Sequence, residues 1–355
     1  MEINELLKLV VDKRASDMHM RVPSPPVLRI DGVLVPQTDL PPLENKDVEI
    51  AFERITTPEQ RSVFLKEKEL SYAYSVSGLA RFRVNIIRQR GTISIAFRLV
   101  PFEIPTISEL GLPEQIKDII AKPDGLILVT GPAGSGKSTT LASMINYLNQ
   151  TEVRNIITIE DQIEYLYKND KCIIAQRDIG DDTQSIKTAM KHALQHDPDV
   201  IVIGEMADMD TISTAISAAE AGRLVLGVLY ANNALQSVDL LKEAFPQDRQ
   251  PQIAAQLARV LEAVISQKLV KRISGGRVAA YEILIADANI KNYILMENTS
   301  GFSKNGDLQA MDKALADLVK SGTISPDEAI SKSNEPEKLR QLLHVKSKKE
   351  KVSCK

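Results

Sequence analysis

The sequence predicts an α/β protein: a doubly wound parallel sheet carrying a phosphate-binding loop, preceded by a smaller α+β unit. Three observations predict it. The first is Gly131-Pro132-Ala133-Gly134-Ser135-Gly136-Lys137-Ser138, which satisfies G-x-x-x-x-G-K-[ST]. The second is its setting. Gly125–Thr130 reads GLILVT, the short apolar run of a buried parallel strand, and Leu141, Met144, Ile145 and Leu148 recur at helical spacing behind the loop. The third is the alternation of strand-like and helix-like segments from about residue 109 onward.

The loop defines the chemistry. A phosphate chain needs many donors in a small concave space, and glycines let the backbone bring its N–H groups close. The residues expected to hold it are Gly131, Ala133, Gly134, Ser135, Gly136, Lys137, Ser138, Thr139 and Thr140. Lys137 adds a cation for the β- and γ-phosphates, Ser138 a hydroxyl for Mg²⁺, and the helix N-terminus a partial positive charge. ATP and Mg²⁺ are therefore the expected ligands.

With 355 residues, 43% hydrophobic and 26% charged, the chain suggests about two domains of ordinary soluble type. A net charge of −3 gives no general argument for nucleic acid or acidic lipid. Cys172 and Cys354 offer neither a disulfide framework nor a metal cluster, which fits a reducing cytoplasm. No apolar run approaches membrane-spanning length, and residues 1–14 read as an amphipathic helix, so membrane association is expected only through a partner.

In chain order, Ile3, Leu6, Leu7, Val10 and Val11 form one helical stripe, and Asp31-Gly32 within 27–35 signals a hairpin. Thr57-Pro58-Glu59-Gln60 starts a helix with a capping box. In 80–100, Phe82, Val84, Ile86, Ile93, Ile95, Phe97 and Leu99 alternate with Arg81, Arg83, Asn85, Ser94 and Arg98. Two strands joined around Arg90-Gly91 would thus carry arginines on the face opposite the apolar one, either as a solvated surface or as a reach toward an anion on a neighbouring molecule. The expected domains are 1–99, a linker over 100–108, an ATPase domain over 109–287, a helical satellite over 288–345 and a basic tail over 346–355. Further strands are expected at 156–159, 200–204 and Leu224–Leu229, and helices at about 183–195, 209–221 and 250–268. Past 288 the chain reads as all-helical, with Leu308, Met311, Leu315 and Leu318 on one face and a second capping box at Ser325-Pro326-Asp327-Glu328.

Hydrolysis needs a held cation and an oriented water, and carboxylates at the ends of neighbouring strands supply both. Glu205 ends the run Val200-Ile201-Val202-Ile203-Gly204-Glu205 and is the expected Mg²⁺–water organiser and metal ligand with Ser138. Glu160, at the end of 156–159, is the expected base.

Taken together, the motifs resemble those of the PilT-type secretion ATPases, hexameric motors that retract type IV pili. The resemblance is carried by Ala15-Ser16-Asp17-Met18-His19, Ala80-Arg81-Phe82-Arg83-Val84-Asn85, the phosphate loop, and Thr158-Ile159-Glu160-Asp161-Gln162-Ile163-Glu164. It continues through Asp197-Pro198-Asp199-Val200-Ile201-Val202-Ile203-Gly204-Glu205-Met206, Val264-Ile265-Ser266-Gln267 and Gly275-Gly276-Arg277-Val278-Ala279-Ala280. It implies a PAS-like first domain, a RecA-like second domain with a small helical extension, and a homohexamer with ATP in the cleft between the domains. It also implies cationic roles at the phosphates for Arg81, Arg83 and Arg98, the last two as catalytic residues supplied by a neighbour. The implied partners are an inner-membrane pilus platform protein and a paralogous retraction ATPase, with the chain cytoplasmic and peripheral at that membrane.

The chain departs from the family pattern in one region above all. The His box, T-G-H-L-V-x-G-T-L-H-T in the family, reads Ala221-Gly222-Arg223-Leu224-Val225-Leu226-Gly227-Val228-Leu229-Tyr230-Ala231 here, with Arg223 and Tyr230 in place of both histidines. Ala207 and Gln162 replace a family arginine and proline, and Lys191 and Gln195 replace two arginines of the preceding helix. Tyr230 carries no charge, whereas Arg223 would offer a permanent cation for phosphate sensing if it points inward. Tyr230-Ala231-Asn232-Asn233-Ala234 and the tail helices are more similar to the PilU-type accessory ATPases. A retraction motor is the leading expectation. An accessory ring or a non-hydrolysing scaffold is the alternative. A nucleic-acid translocase is disfavoured by low net charge and by arginines without interleaved aromatics.

Overall fold

A computed structural model describes residues 2–30, 32–100, 103–296, 308–309 and 311–343; the basic tail expected over 346–355 lies outside them. The chain divides into two compact units: Met1–Phe102 with Gln162–Leu166, and Glu103–Asp161 with Tyr167–Lys355.

The first unit runs α1 (Ile3–Asp12), β1 (Asp17–Met20), β2 (Val27–Ile30), β3 (Val33–Pro36), α2 (Asn45–Ile55), α3 (Pro58–Glu67), β4 (Glu69–Val76), β5 (Ala80–Gln89), β6 (Thr92–Val100). Its six strands form an antiparallel sheet in the order β3-β2-β1-β6-β5-β4. The alternation read in the sequence is realised: Phe82, Val84, Ile86, Ile95 and Phe97 are fully buried in one core with the inner faces of α1, α2 and α3. Phe82 and Phe97 meet edge to face at 6.3 Å. Arg90 and Gly91 both take positive φ, 47° and 80°, the two-residue turn whose twist suits a hairpin. Thr57 caps α3 with the reciprocal Gln60 bond expected of its capping box.

The second unit runs α4 (Gln115–Ile120), β7 (Gly125–Thr130), α5 (Lys137–Thr151), β8 (Asn155–Glu160), β9 (Ile173–Asp178), α6 (Ile186–Ala193), β10 (Val200–Ile203), α7 (Met209–Glu220), β11 (Leu224–Leu229), α8 (Ala234–Glu243), α9 (Gln250–Val260), β12 (Leu261–Lys271), β13 (Arg277–Ile285), α10 (Ala288–Leu295), β14 (Leu308–Gln309), α11 (Met311–Lys320), α12 (Pro326–Lys332) and α13 (Pro336–Leu342). Its sheet has the order β14-β13-β12-β7-β11-β10-β8-β9; β12 through β9 are parallel, and β13 and β14 run antiparallel. Leu126, Leu128, Ile201, Ile203 and Val225 pack on one side with α6 to α10. Ile127, Val129, Val200, Val202 and Leu226 pack on the other with α4 and α5. Burial of both faces is why these strands read as unbroken apolar runs.

Three elements differ from expectation. The helix expected over 250–268 ends at Val260, and Leu261–Lys271 is a strand pairing with β7 and β13. The run Leu-Glu-Ala-Val-Ile-Ser fits helical and strand spacing alike, and only pairing on both sides decides it. The all-helical expectation past 288 is interrupted by β14 on the sheet edge, which takes Leu308 out of the helical face. In the second capping box Ser325 accepts the Glu328 N–H, but the Glu328 carboxylate accepts the N–H of Lys271. The terminal helices share a core with β12 and β13 through Val270, Ala280, Met311, Leu315, Ile324 and Leu339.

Phe82→Ala removes a fully buried ring from the first unit's core. It should lower the unfolding free energy of that unit by about 3–5 kcal/mol, read as a reduced urea midpoint.

Candidate active site

The loop's shape follows from what surrounds it. β7 is completely buried and ends at Thr130, so the chain must turn at once. Gly131, Gly134 and Gly136 take positive φ of 148°, 71° and 90°. A Cβ on Gly131 would lie 2.4 Å from the main-chain oxygen of Gln267 on β12, whereas one on Gly134 would meet nothing within 4 Å. The buried Gln267 side chain donates its amide to the Ser135 carbonyl at 2.7 Å. The loop is thereby held from the β12 side by backbone proximity and a side-chain hydrogen bond.

Lys137 opens α5 and is only 6% exposed. Its ammonium donates to the Gly131 and Pro132 carbonyls at 2.9 Å each, and the Tyr230 ring centroid lies 4.0 Å away. Ser138 and Thr139 are half-buried in the first turn of α5. Thr140 is buried and hydrogen-bonds the Tyr281 hydroxyl, whose pKa burial pushes up to about 12 against that bond. The outer side of residues 132–135 borders a cavity of about 270 Å³ shared with Lys268 and with Lys332 at the end of α12.

Both expected acids stand at the same, carboxyl edge of the sheet. Glu205 follows β10 by two residues and is half-buried, its neighbour Met206 fixed by a 2.8 Å bond to the Val228 carbonyl. Glu160 is the last residue of β8 and accepts from the Thr158 hydroxyl at 2.7 Å. At about 4.8 Å per strand, β10 lies ~10 Å and β8 ~14 Å from β7. Gly204 lets these strand ends approach: a Cβ there would lie 3.1 Å from the Glu160 Cα.

Arg223 and Tyr230 occupy opposite ends of β11. Arg223 precedes its first residue, its carbonyl bonds the Gly125 N–H, and its guanidinium pairs with Asp197 at 3.5 Å. The inward orientation that would make Arg223 a phosphate sensor is therefore not found within this unit. Tyr230 follows the last residue, at the loop.

The arginines belong to the first unit. Pairing places Arg29, Asp17, Arg98 and Arg83 in one row across β2, β1, β6 and β5. Asp17 accepts from Arg98 Nε at 2.8 Å and lies 3.8 Å from Arg29. Burial acts to raise the Asp17 pKa, but hydrogen bonds from Ser16 and Arg98 and the Arg98 charge outweigh it, and it falls below the usual value. Arg83 and Arg98 line a cavity of about 190 Å³ with Gln162, Glu164 and Tyr165. Arg81, two residues along β5, contacts the Ser75 hydroxyl at 3.5 Å. Asp17 and Gln267, seen in the sequence only within family motifs, are thus the partners that orient Arg98 and the loop.

A sequence model of the family described as type II/IV secretion system protein matches residues 2–323. The chain belongs to that family. It is 41% identical over 343 residues to the type IV pilus retraction ATPase PilT of Pseudomonas aeruginosa, covering 95% of this chain and 99% of that protein. It is 35% identical over 360 residues to the type IV pilus ATPase PilU of the same organism, covering 98% and 92%. A crystal structure of the pilus retraction motor PilT with bound ADP matches with a TM-score of 0.90 at 40% identity, covering 96% of this chain and 99% of that one. The fold is accordingly a PAS-like α+β domain and a RecA-like phosphate-loop domain with a small helical extension. Among the described residues no helix is long and apolar enough to cross a membrane.

Two outcomes follow from this geometry. Gly131→Ala should abolish nucleotide retention and lower the melting temperature, whereas Gly134→Ala, strained but unobstructed, should do so far less; thermal melts with and without ADP compare them. Asp17, with its lowered folded pKa, adds stability above its unfolded value and loses it as pH falls through the folded one. Asp17→Asn should lower the urea midpoint at pH 7, and the gap from wild type should narrow once pH drops under about 4.

Proposed function

We propose that this chain is the ATP-hydrolysing subunit of a homohexameric ring motor that drives type IV pilus retraction and twitching motility. The observation that carries the reading is the complete phosphate loop with two carboxylates at neighbouring strand ends, in a chain similar over nearly its whole length to a pilus retraction ATPase.

Gly131, Ala133, Gly134, Gly136, Ser138 and Thr139 offer backbone N–H groups to the phosphates, with Ser135 and Thr140 beside them. The Ser135 N–H itself donates to the Pro132 carbonyl at 3.2 Å, and Lys137 binds the phosphate oxygens. Ser138 and Glu205 offer hard oxygen donors, a set that suits magnesium, which keeps much of its shell as water and phosphate oxygen. When bound, magnesium would neutralise charge on the β- and γ-phosphates. Glu205 orients the attacking water through its carboxylate, and Glu160 takes the water's proton at Oε1 or Oε2. Arg83 and Arg98 of a neighbouring subunit, with Arg81 beside them, stabilise charge developing on the γ-phosphoryl oxygens. Catalysis then requires the neighbour's first unit to be docked, which links hydrolysis to rigid-body motion. The ring acts in the cytoplasm, peripheral to the inner membrane through the pilus platform protein, beside a paralogous retraction ATPase. Tyr230 in place of a histidine at the loop favours a second reading, an accessory ring with slow turnover.

Purified protein should release phosphate steadily from ATP, and Lys137→Ala should end that release. Arg98→Ala should lower kcat by about 10³ or more. Rings that bind ATP without turnover would replace the motor with a scaffold, and stimulation by single-stranded DNA would replace it with a translocase.

A further inference from the structure

Tyr230 lies directly against the lysine that the proposed ATP site depends on. Its ring centroid is 4.0 Å from the Lys137 ammonium. The same ammonium donates to the Gly131 and Pro132 carbonyls. An ammonium has three donors, and a phosphate oxygen competes for them with the groups already there. A hydrogen bond from a charged donor is stronger than contact with a partly solvated aromatic face. Of the two carbonyls and the ring, the ring is the one that a phosphate displaces at least cost.

The backbone permits that displacement. Leu229 and Ala231, on either side, are buried, while Tyr230 is 50% exposed. A half-exposed ring can turn toward solvent while its buried neighbours keep their places in the core. The partner on β7's other flank differs in kind: Gln267 is buried and bonded to Ser135, so the loop itself stays fixed while the ring moves.

We propose that the Tyr230 ring is a displaceable cover on Lys137, competing with the phosphate chain of the nucleotide for one face of the ammonium, so that residue 230 sets nucleotide affinity. This rests on the reading of the loop as an ATP site. The contact that competes is the one between the ring face and the ammonium.

The test is a substitution series in the full chain, with ADP and ATP titrated by calorimetry. Tyr230→Leu should bind about 2- to 30-fold more tightly than wild type, the range expected when a cation–π contact no longer competes. Tyr230→Phe should restore wild-type affinity to within about twofold, because the ring face remains. Tyr230→Trp should bind more weakly. Because the chain contains no tryptophan, that indole is also a unique fluorophore, and its emission should shift as ADP saturates the site. With Lys137→Ala in the background, emission in the same variant should no longer respond to ADP. A Leu variant that binds no more tightly than wild type, or an indole blind to ADP, overturns the cover while leaving the ATP site standing. Absence of binding by wild type in the same titration overturns both.

Discussion

Gln267 grips the phosphate loop from behind, and the rest of the site takes its geometry from that grip. A loop that aims its N–H groups at a ligand cannot spend them on its own secondary structure. Its carbonyl side must then be anchored. β12 runs parallel to β7 with Ser266 opposite Thr130, which brings Gln267 level with Gly131. Its main chain leaves room only for glycine there, and its amide fixes the Ser135 carbonyl. β11, on the other flank of β7, delivers Tyr230 at the same level. The loop is clamped by one neighbour and covered by the other.

How much of this could be read from the chain depended on how local each signal was. The loop was legible because its chemistry demands particular residue types at fixed spacing, and the strands beside it were legible because both their faces are buried. β12 was misread because its apolar residues satisfy two periodicities, and its identity depends on pairing with strands distant in sequence. The alternation in β5 and β6 correctly placed the arginines opposite the core. It could not show that Asp17, 81 positions before Arg98, would sit between Arg98 and Arg29, since that is a matter of register across the sheet. Arg223 and Tyr230 looked like two halves of one lost box. The six-residue strand between them carries them about 23 Å apart, to opposite edges.

The arginine row has an unusual charge balance. Asp17 serves Arg98 closely and Arg29 more distantly, while Arg83 stands directly opposite Arg98 on the adjacent strand, with Glu164 on the same cavity. Like charges directly opposite one another on a sheet repel. The fold accepts that repulsion on a face turned away from its core. Asp17 holds Arg98 in that row by a 2.8 Å hydrogen bond.

The five residues Gln162–Leu166 pack with the first unit although the chain on both sides of them belongs to the second. The polypeptide is therefore stitched: it passes between units at 102/103, 161/162 and 166/167. The middle stitch comes one residue after Glu160, and Gln162, Glu164 and Tyr165 just beyond it line the cavity beside Arg83 and Arg98. No single cut yields two whole modules, and neither could be exchanged by simple fusion without leaving a fragment of itself in the other.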